Sequence, residues 1–247
     1  MIPARAGSKR LPGKNTRDFF GHPMMAYGIS AALNSRLFSR VLVSSDDPSV
    51  GEIARWYGAE FILRPPELAT DTASLADVAR HLLDTLHARA QAAEILCQIM
   101  PNCPLVHSQD ILDHWQLFRE KQRSFQISVV RYRGVYPQWA LAADEMFRGK
   151  WLFGSKYLVR SQELPQVFCP TGAIWLVRSE AFLAQRAFYG SPFHLAPMDA
   201  NRGIDIDDSE DLALAELLVR GLTARNGVSA LEPVRRESFL KVGAPLG

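Results

Sequence analysis

Four stretches of this 247-residue chain carry residue types at spacings that chemistry can use. Residues 3–15 read PARAGSKRLPGKN. The small residues let backbone N–H groups approach phosphate oxygens, and Arg5, Lys9, Arg10 and Lys14 supply countercharge. The spacing is neither GxxxxGK followed by Ser or Thr, nor GxGxxG. By composition alone the stretch reads as a phosphate cradle or as a solvated basic loop. Residues 204–208 read IDIDD. In an extended chain Asp205 and Asp207 share a face. Two such carboxylates repel unless a cation lies between them, and Mg²⁺ takes hard oxygen ligands while keeping phosphates and waters in its shell. Asp207 or Asp208 could instead cap the next helix, and Asp208 is the better cap. Asp205 lies too far upstream for that role. Residues 64–74, RPPELATDTAS, place Arg64 before Pro-Pro, which fixes an extended turn able to project the guanidinium into a crevice. Thr72 and Ser74 then open a helix whose N-terminal amides favour an anion or a polar ligand edge. Taken alone, a surface loop with an ordinary cap explains that stretch better. Finally, Ser44-Ser45-Asp46-Asp47 stands between a strand and a helix, at the kind of strand end where open α/β sheets bind ligands. Capping explains Asp47 better than Asp46.

Bringing these stretches together requires strands whose ends gather on one edge of a sheet. Residues 40–45 (RVLVSS), 60–63 (EFIL), 94–99, 125–130 and 172–178 (GAIWLVR) read as strands. Between them lie helical patterns. One is capped by Asp47 with Pro48 at its first position, carries Val50, Ile53, Ala54 and Tyr57 on one face, and ends near Gly58. A second spans 73–89 with Leu75, Val78, Leu82, Leu83 and Leu86 on one face. A third is capped by Ser108 and carries Ile111, Leu112, Trp115 and Phe118. The last spans 208–221 with Leu214, Leu217 and Leu218. Strands separated by helices of this length predict right-handed crossovers and a three-layer α/β fold on a mostly parallel sheet. The rhythm loosens between 131 and 168, so residues 135–170 read as an inserted arm or lid. The domain is expected over 1–221, with 222–247 a loosely ordered tail. Only Met1 and Ile2 precede Pro3, so the first strand is short or begins upstream of residue 1.

Composition excludes several classes. Twenty-eight Lys and Arg against 26 Asp and Glu leave a net charge of +2, which argues against a general nucleic-acid partner. No apolar run reaches the length of a membrane span, and the first ten residues lack the apolar core of a signal peptide. Cys97, Cys103 and Cys169 have no metal-type spacing and no neighbouring base, which fits a reducing, cytoplasmic setting. The six histidines are scattered without an HExxH pair, and none reads as a metal ligand.

The four stretches in this order, IPARAGSKRLPGKN, VLVSSDD, LRPPELATDTAS and GIDIDDSEDLALAE, together with RSQELPQVFCPTGAIWLV, resemble the acylneuraminate cytidylyltransferases, the CMP-sialic acid synthetases, including the relatives that activate pseudaminic and legionaminic acids. The similarity spans about residues 1–220. It implies a Rossmann-like nucleotidyltransferase fold, a Mg²⁺ requirement, and a homodimer whose protruding arm is the 135–170 insertion. It implies that the enzyme joins CTP to a nine-carbon 2-keto sugar acid for cell-surface polysaccharide, releasing pyrophosphate. By position, Arg5, Ser8, Lys9 and Lys14 would hold the CTP phosphates and Asn15 would contact the nucleotide. Arg64 and the backbone at Ala73 and Ser74 would read the cytosine edge, and Asp205 and Asp207 would hold Mg²⁺. Arg160 and Gln162 would lie near the sugar acid. The chain departs from the sialic acid pattern where Met100 replaces a glutamine, where Gln138 and Trp139 follow Pro137 instead of a lysine, and where Trp175 replaces a tyrosine. If these face the sugar, Met100 removes donors and an acceptor, the lost lysine a cation, and Trp175 an acceptor while adding area, and each change favours an apolar substituent. A 9-deoxy diamino nonulosonic acid of the pseudaminic or legionaminic type is therefore the expected substrate. A nucleotide-sugar-dependent glycosyltransferase would share the Asp-x-Asp but leave the basic loop unexplained. A nucleotide-binding homologue without turnover is the other alternative.

Overall fold

The computed structural model describes residues 1–132 and 134–234. The chain opens with the short β1 (Ile2–Pro3), the basic loop, and a single 3-10 turn at Lys14–Thr16. A small antiparallel hairpin, β2 (Asp18–Phe19) and β3 (His22–Pro23), leads into α1 (Met24–Ser35). Then come β4 (Leu42–Ser45), α2 (Pro48–Trp56), β5 (Glu60–Leu63), α3 (Leu75–Ala88), β6 (Ile95–Gln98), α4 (Ser108–Glu120) and β7 (Phe125–Arg131). The insertion holds a two-stranded hairpin, β8 (Leu141–Ala143) and β9 (Gly149–Trp151). The chain ends with β10 (Phe168–Arg178), α5 (Ser179–Gln185), β11 (His194–Pro197) and α6 (Ser209–Asn226).

β5, β4 and β1 pair in parallel. Met1 N donates to Cys97 O at 2.7 Å, and Ile99 N donates to Met1 O at 3.0 Å. That alternation is the bonding of a parallel pair and joins β1 to β6. The order across the sheet is then β5-β4-β1-β6-β10-β7-β11. β10 alone runs against its neighbours, antiparallel to both β6 and β7. The expectation of parallel crossovers fails at that strand because, among the described residues, only short 3-10 turns and no α-helix separate β7 from β10. The chain leaves along the exposed insertion and returns beside the strand it left, which produces an antiparallel pair. β10 also begins at Phe168 rather than at 172, and its pairing with β7 slips between Pro170 and Trp175.

Helices cover both faces. Val50 and Ala54 of α2, Met25 and Ile29 of α1, and Ile111 and Phe118 of α4 share one apolar core with Ile2, Val43 and Ile99. Val78, Leu82 and Leu86 of α3 and Phe182 of α5 share another with Leu42, Leu96 and Ile127. The alternation of Leu42 and Val43 between the two cores is the period-2 pattern of a strand buried on both sides. α1 was not legible as an amphipathic helix because it is buried nearly all round, from Met24 to Ala32. The expected caps at Asp47 and Asp208 form. Asp47 accepts from Ser49 N at 2.8 Å, and Asp208 accepts from Glu210 N and Asp211 N at 2.9 and 3.0 Å. Ser108 is instead the first residue of α4, and the cap position falls to His107, whose N–H donates to Asp110 at 2.9 Å.

α6 continues past 221 to Asn226 and closes on Gly227 at φ 70, a left-handed position suited to glycine. Beyond it Val228 is exposed, and the chain packs back on the domain at Ala230 to Glu232. Leu231 is buried, and the buried Glu232 carboxylate accepts from Asn34 Nδ2 at 2.8 Å and Ser108 N at 2.9 Å. The rest of the expected tail, 235–247, lies outside the described residues. No helix among the described residues is long and apolar enough to cross a membrane.

Candidate active site

The C-terminal ends of β1, β5 and β6 open into one crevice of about 190 Å³, where an open α/β sheet places its ligands. Three loops wall it: Arg5, Ser8, Lys14 and Asn15 after β1, Arg64 to Ala73 after β5, and Met100 to Asn102 after β6. Stretches far apart in sequence thus meet because consecutive parallel strands end on the same edge.

The basic loop is fastened at several points. Ala4 N donates to Ser44 O at 2.9 Å, and Ala6 N donates to Asp46 Oδ1 at 3.1 Å, so Asp46 anchors the loop. Gly13 turns the chain at φ 64, and Asn15 Nδ2 donates to Arg5 O at 2.8 Å. Asn15 Oδ1 is buried without a partner. Arg64 is 4% exposed, with Nη1 donating to Leu68 O at 3.2 Å and Nη2 to Ser44 O at 3.1 Å. It braces the β5–α3 loop against β4 and keeps an unpartnered Nε. Burial lowers its pKa, with the nearby Arg5 pushing the same way and Asp46 opposing.

Asp205 and Asp207 do share a face. Ile206 between them is fully buried in the core under α6. Lys14 Nζ sits 2.7 Å from Asp207 Oδ1, and Arg10 Nη2 sits 2.5 Å from Oδ2. Burial pushes the Asp207 carboxyl up, but Lys14 and Arg10 outweigh it and hold it below its ordinary value. Asp205 has no such cation against it. Burial, and then the Asp207 charge, push it up to about 6. Asn102 clamps the segment: its Nδ2 donates to Asp205 Oδ1 and, at 3.0 Å, to Ile206 O, while Ile206 N donates to Asn102 O at 2.9 Å. Among the described residues Asn102 Oδ1 is buried without a partner. The two carboxylates are hard-oxygen donors of the kind Mg²⁺ takes, and Asn102 turns its Nδ2, not its Oδ1, toward them. No cluster of three or more His, Cys, Asp or Glu able to hold a metal occurs among the described residues. The other positions in such a shell would fall to phosphates and waters.

Several expected site residues are not brought to the crevice. Trp175 is buried in the core beneath α3, tilted against Phe188, and its Nε1 donates to Thr171 O at 2.6 Å. Its donor is spent inside the sheet, and it does not line the crevice. Ser74 caps α3 by accepting from Asp77 N at 3.1 Å. Trp139, Arg160 and Gln162 lie on the insertion and do not line the crevice. Trp139 Nε1 donates to Tyr157 O at 2.7 Å, and Arg160 pairs with Glu163. Met100 does line it, packed so closely on Gly172 that a Cβ there would lie 2.6 Å from Met100 Cγ. Sequence reasoning missed Asp71 and Asn102, and gave Arg10 only as countercharge for phosphate where it pairs with Asp207. Nothing local marks these contacts, because each residue acts on a partner that only the fold brings near.

A family model described as Cytidylyltransferase matches residues 1–138. The chain is 32% identical over 223 residues to the pseudaminic acid cytidylyltransferase of Campylobacter jejuni, covering 89% of this chain and 95% of that protein. It is 32% identical over 215 residues to the N-acylneuraminate cytidylyltransferase of Escherichia coli, covering 87% of this chain and 50% of that protein. It is 29% identical over 229 residues to the CMP-N,N'-diacetyllegionaminic acid synthase of Legionella pneumophila, covering 89% and 94%. Among solved structures, a CMP:2-keto-3-deoxy-manno-octonic acid synthetase complexed with CTP shares the fold at a TM-score of 0.65 and 21% identity, covering 91% of this chain and 97% of that one.

Proposed function

The chain belongs to the cytidylyltransferase family, and from that premise we propose that it joins CTP to a nonulosonic 2-keto sugar acid, giving the CMP-sugar and pyrophosphate. The observation that carries this reading is the meeting of the basic loop and Arg64 around one crevice at the strand ends, with the Asp205–Asp207 segment joined to that lining through Lys14 and Asn102. The anomeric 2-hydroxyl of the sugar acid attacks the α-phosphorus of CTP, the bond to the bridging oxygen breaks, and pyrophosphate leaves. Arg5, Ser8, Lys9 and Lys14 bind the triphosphate, and Lys9 and Lys14 neutralise the departing pyrophosphate. Arg64, with the backbone at Ala73, orients the base, and Asn15 holds the nucleotide. Asp205 and Asp207 would hold Mg²⁺, which would supply charge neutralisation at the α-phosphate. CTP as substrate places the reaction in the cytoplasm.

The insertion carries Leu141, Phe147, Leu152 and Phe153 exposed, more apolar surface than a solvated hairpin needs. We assign it to a homodimer interface. Arg160 and Gln162, off the crevice of their own protomer, meet the sugar acid through that interface.

Met100 supports a pseudaminic- or legionaminic-type acid over N-acetylneuraminic acid. Its thioether rewards burial of a C9 methyl, at about 0.8 kcal/mol per carbon, and offers no donor to a hydroxyl. A pyrophosphate-release assay crossing four nucleoside triphosphates with a panel of 2-keto sugar acids tests both parts. The expected result is release with CTP alone, and a kcat/KM about 10-fold or more higher for the 9-deoxy diamino acids, the range of such pocket changes. Equal use of UTP, or no release with any acid, would overturn the assignment. Equal kcat/KM for N-acetylneuraminic acid would overturn the preference.

A further inference from the structure

One carboxylate ties the basic loop to the β5–α3 loop at the mouth of the crevice. Asp71 Oδ1 lies 2.9 Å from Arg5 Nη1, and its Oδ2 lies 2.5 Å from Lys9 Nζ. Both cations are among those given above to the triphosphate. A single side chain therefore already fills the role of two phosphate oxygens. Asp71 is held in place from its own loop. Thr70 Oγ1 accepts from Ala73 N at 3.2 Å and lies 3.2 Å from Thr72 Oγ1, which shapes the turn whose tip is Asp71. Lys9, and then Arg5, hold the Asp71 carboxyl below its ordinary range. With this contact made, the crevice measures about 190 Å³, below the ~300 Å³ at the small end of ligand sites.

The contact is also built to be exchanged. Asp71 is 45% exposed and Lys9 81% exposed, and exposed ion pairs are weak and screened by salt. The Lys14–Asp207 pair is different: Lys14 is only 14% exposed and its partner belongs to the carboxylate segment. A triphosphate or pyrophosphate carries several charges into the field of Arg5 and Lys9 and outcompetes one carboxylate. An uncharged nucleoside cannot.

We propose that Asp71 is an internal counter-anion for the phosphate subsite. It holds Arg5 and Lys9 while the subsite is free, gives them up to the CTP phosphates, and takes them back as pyrophosphate departs. Asp71 thereby lowers the affinity for every ligand whose phosphates reach those cations, and it speeds release of the product. The assignment of the subsite to CTP rests on the cytidylyltransferase reading above. The competition with phosphate does not.

Calorimetric binding of CTP, inorganic pyrophosphate and cytidine to the wild-type protein, Asp71→Asn and Asp71→Ala, at low and high salt, tests this. Both variants should bind CTP and pyrophosphate at least ~3-fold more tightly at low salt, the scale of exposed ion pairs. Cytidine binding should stay unchanged, and the gain should shrink at high salt. Unchanged or weaker pyrophosphate binding in both variants would overturn the proposal. An equal change for cytidine would also overturn it, by moving Asp71 to the nucleoside. Wild-type protein that bound pyrophosphate but not CTP would sink the cytidylyltransferase reading, while the pyrophosphate comparison would still decide the role of Asp71.

Discussion

Lys14 is the residue on which two halves of the site turn, because its ammonium lies 2.7 Å from Asp207 while its chain belongs to the phosphate loop. If it meets the outer phosphates, Lys14→Ala should weaken CTP by about 10-fold or more, the strength of a charge-assisted hydrogen bond. CMP should be affected far less, and equilibrium binding of the two nucleotides checks this. Arg64→Lys keeps the charge but loses the fork that spans Leu68 O and Ser44 O. It should weaken CTP and CMP alike and relax the preference over UTP. Asp205 carries a pH signature. Its carboxyl is raised to about 6 in the folded protein by burial and then by Asp207, against about 3.9 unfolded. The protonated form is therefore the one the fold favours. The resulting stability is present below pH ~4 and is lost as pH rises through about 6. In metal-free protein, Asp205→Asn should match the wild-type Tm near pH 4 and exceed it above pH 6.5. A Tm difference that stays flat across that range would show that Asp205 titrates normally. With Mg²⁺, the same variant should lose about 10²-fold or more in turnover, as expected for removal of a metal ligand.

At the scale of elements, the segment after α6 acts as a strap. Glu232 reaches back to the first turn of α4 and to α1 at once, accepting from Ser108 N and Asn34 Nδ2, and His107 Nε2 lies 2.8 Å from Ala230 O. A carboxylate at a helix N-terminus also meets the positive end of the helix dipole. Glu232→Ala would take the acceptor from the part-buried Ser108 N, while Asn34 Nδ2 keeps Pro233 O at 3.0 Å, at a cost of about 1–3 kcal/mol. Tm should fall by roughly 2–4 °C for each kcal/mol in a domain of this size. A Tm within one degree of wild type would mean that water replaces the carboxylate without loss. The strap was not legible because Leu231 and Glu232 follow no helical or strand period. Their burial depends on where α1 and α4 lie. The helices with one apolar face, α2 and α3, were legible for the converse reason: their partners lie on one side, so spacing records the packing.

For the whole molecule, the exposed apolar residues of the insertion predict association. Sedimentation should give a dimer, and Leu152→Asp combined with Phe153→Asp should give a monomer, since two charges on a buried patch are not repaid. A double variant that stays dimeric would move the interface elsewhere. The sequence by itself determined the α/β alternation, the places of β4 and β5, and the caps at Asp47 and Asp208. These depend on local period or local hydrogen bonds. The tertiary structure alone decided that β10 reverses, that Trp175 turns into the core, and that Asp71, Arg10 and Asn102 close on Arg5, Asp207 and Asp205. Those outcomes depend on which strand ends share an edge and which side of a strand faces a helix. Such relations join residues that stand on different elements, many tens of positions apart, and no local spacing records them.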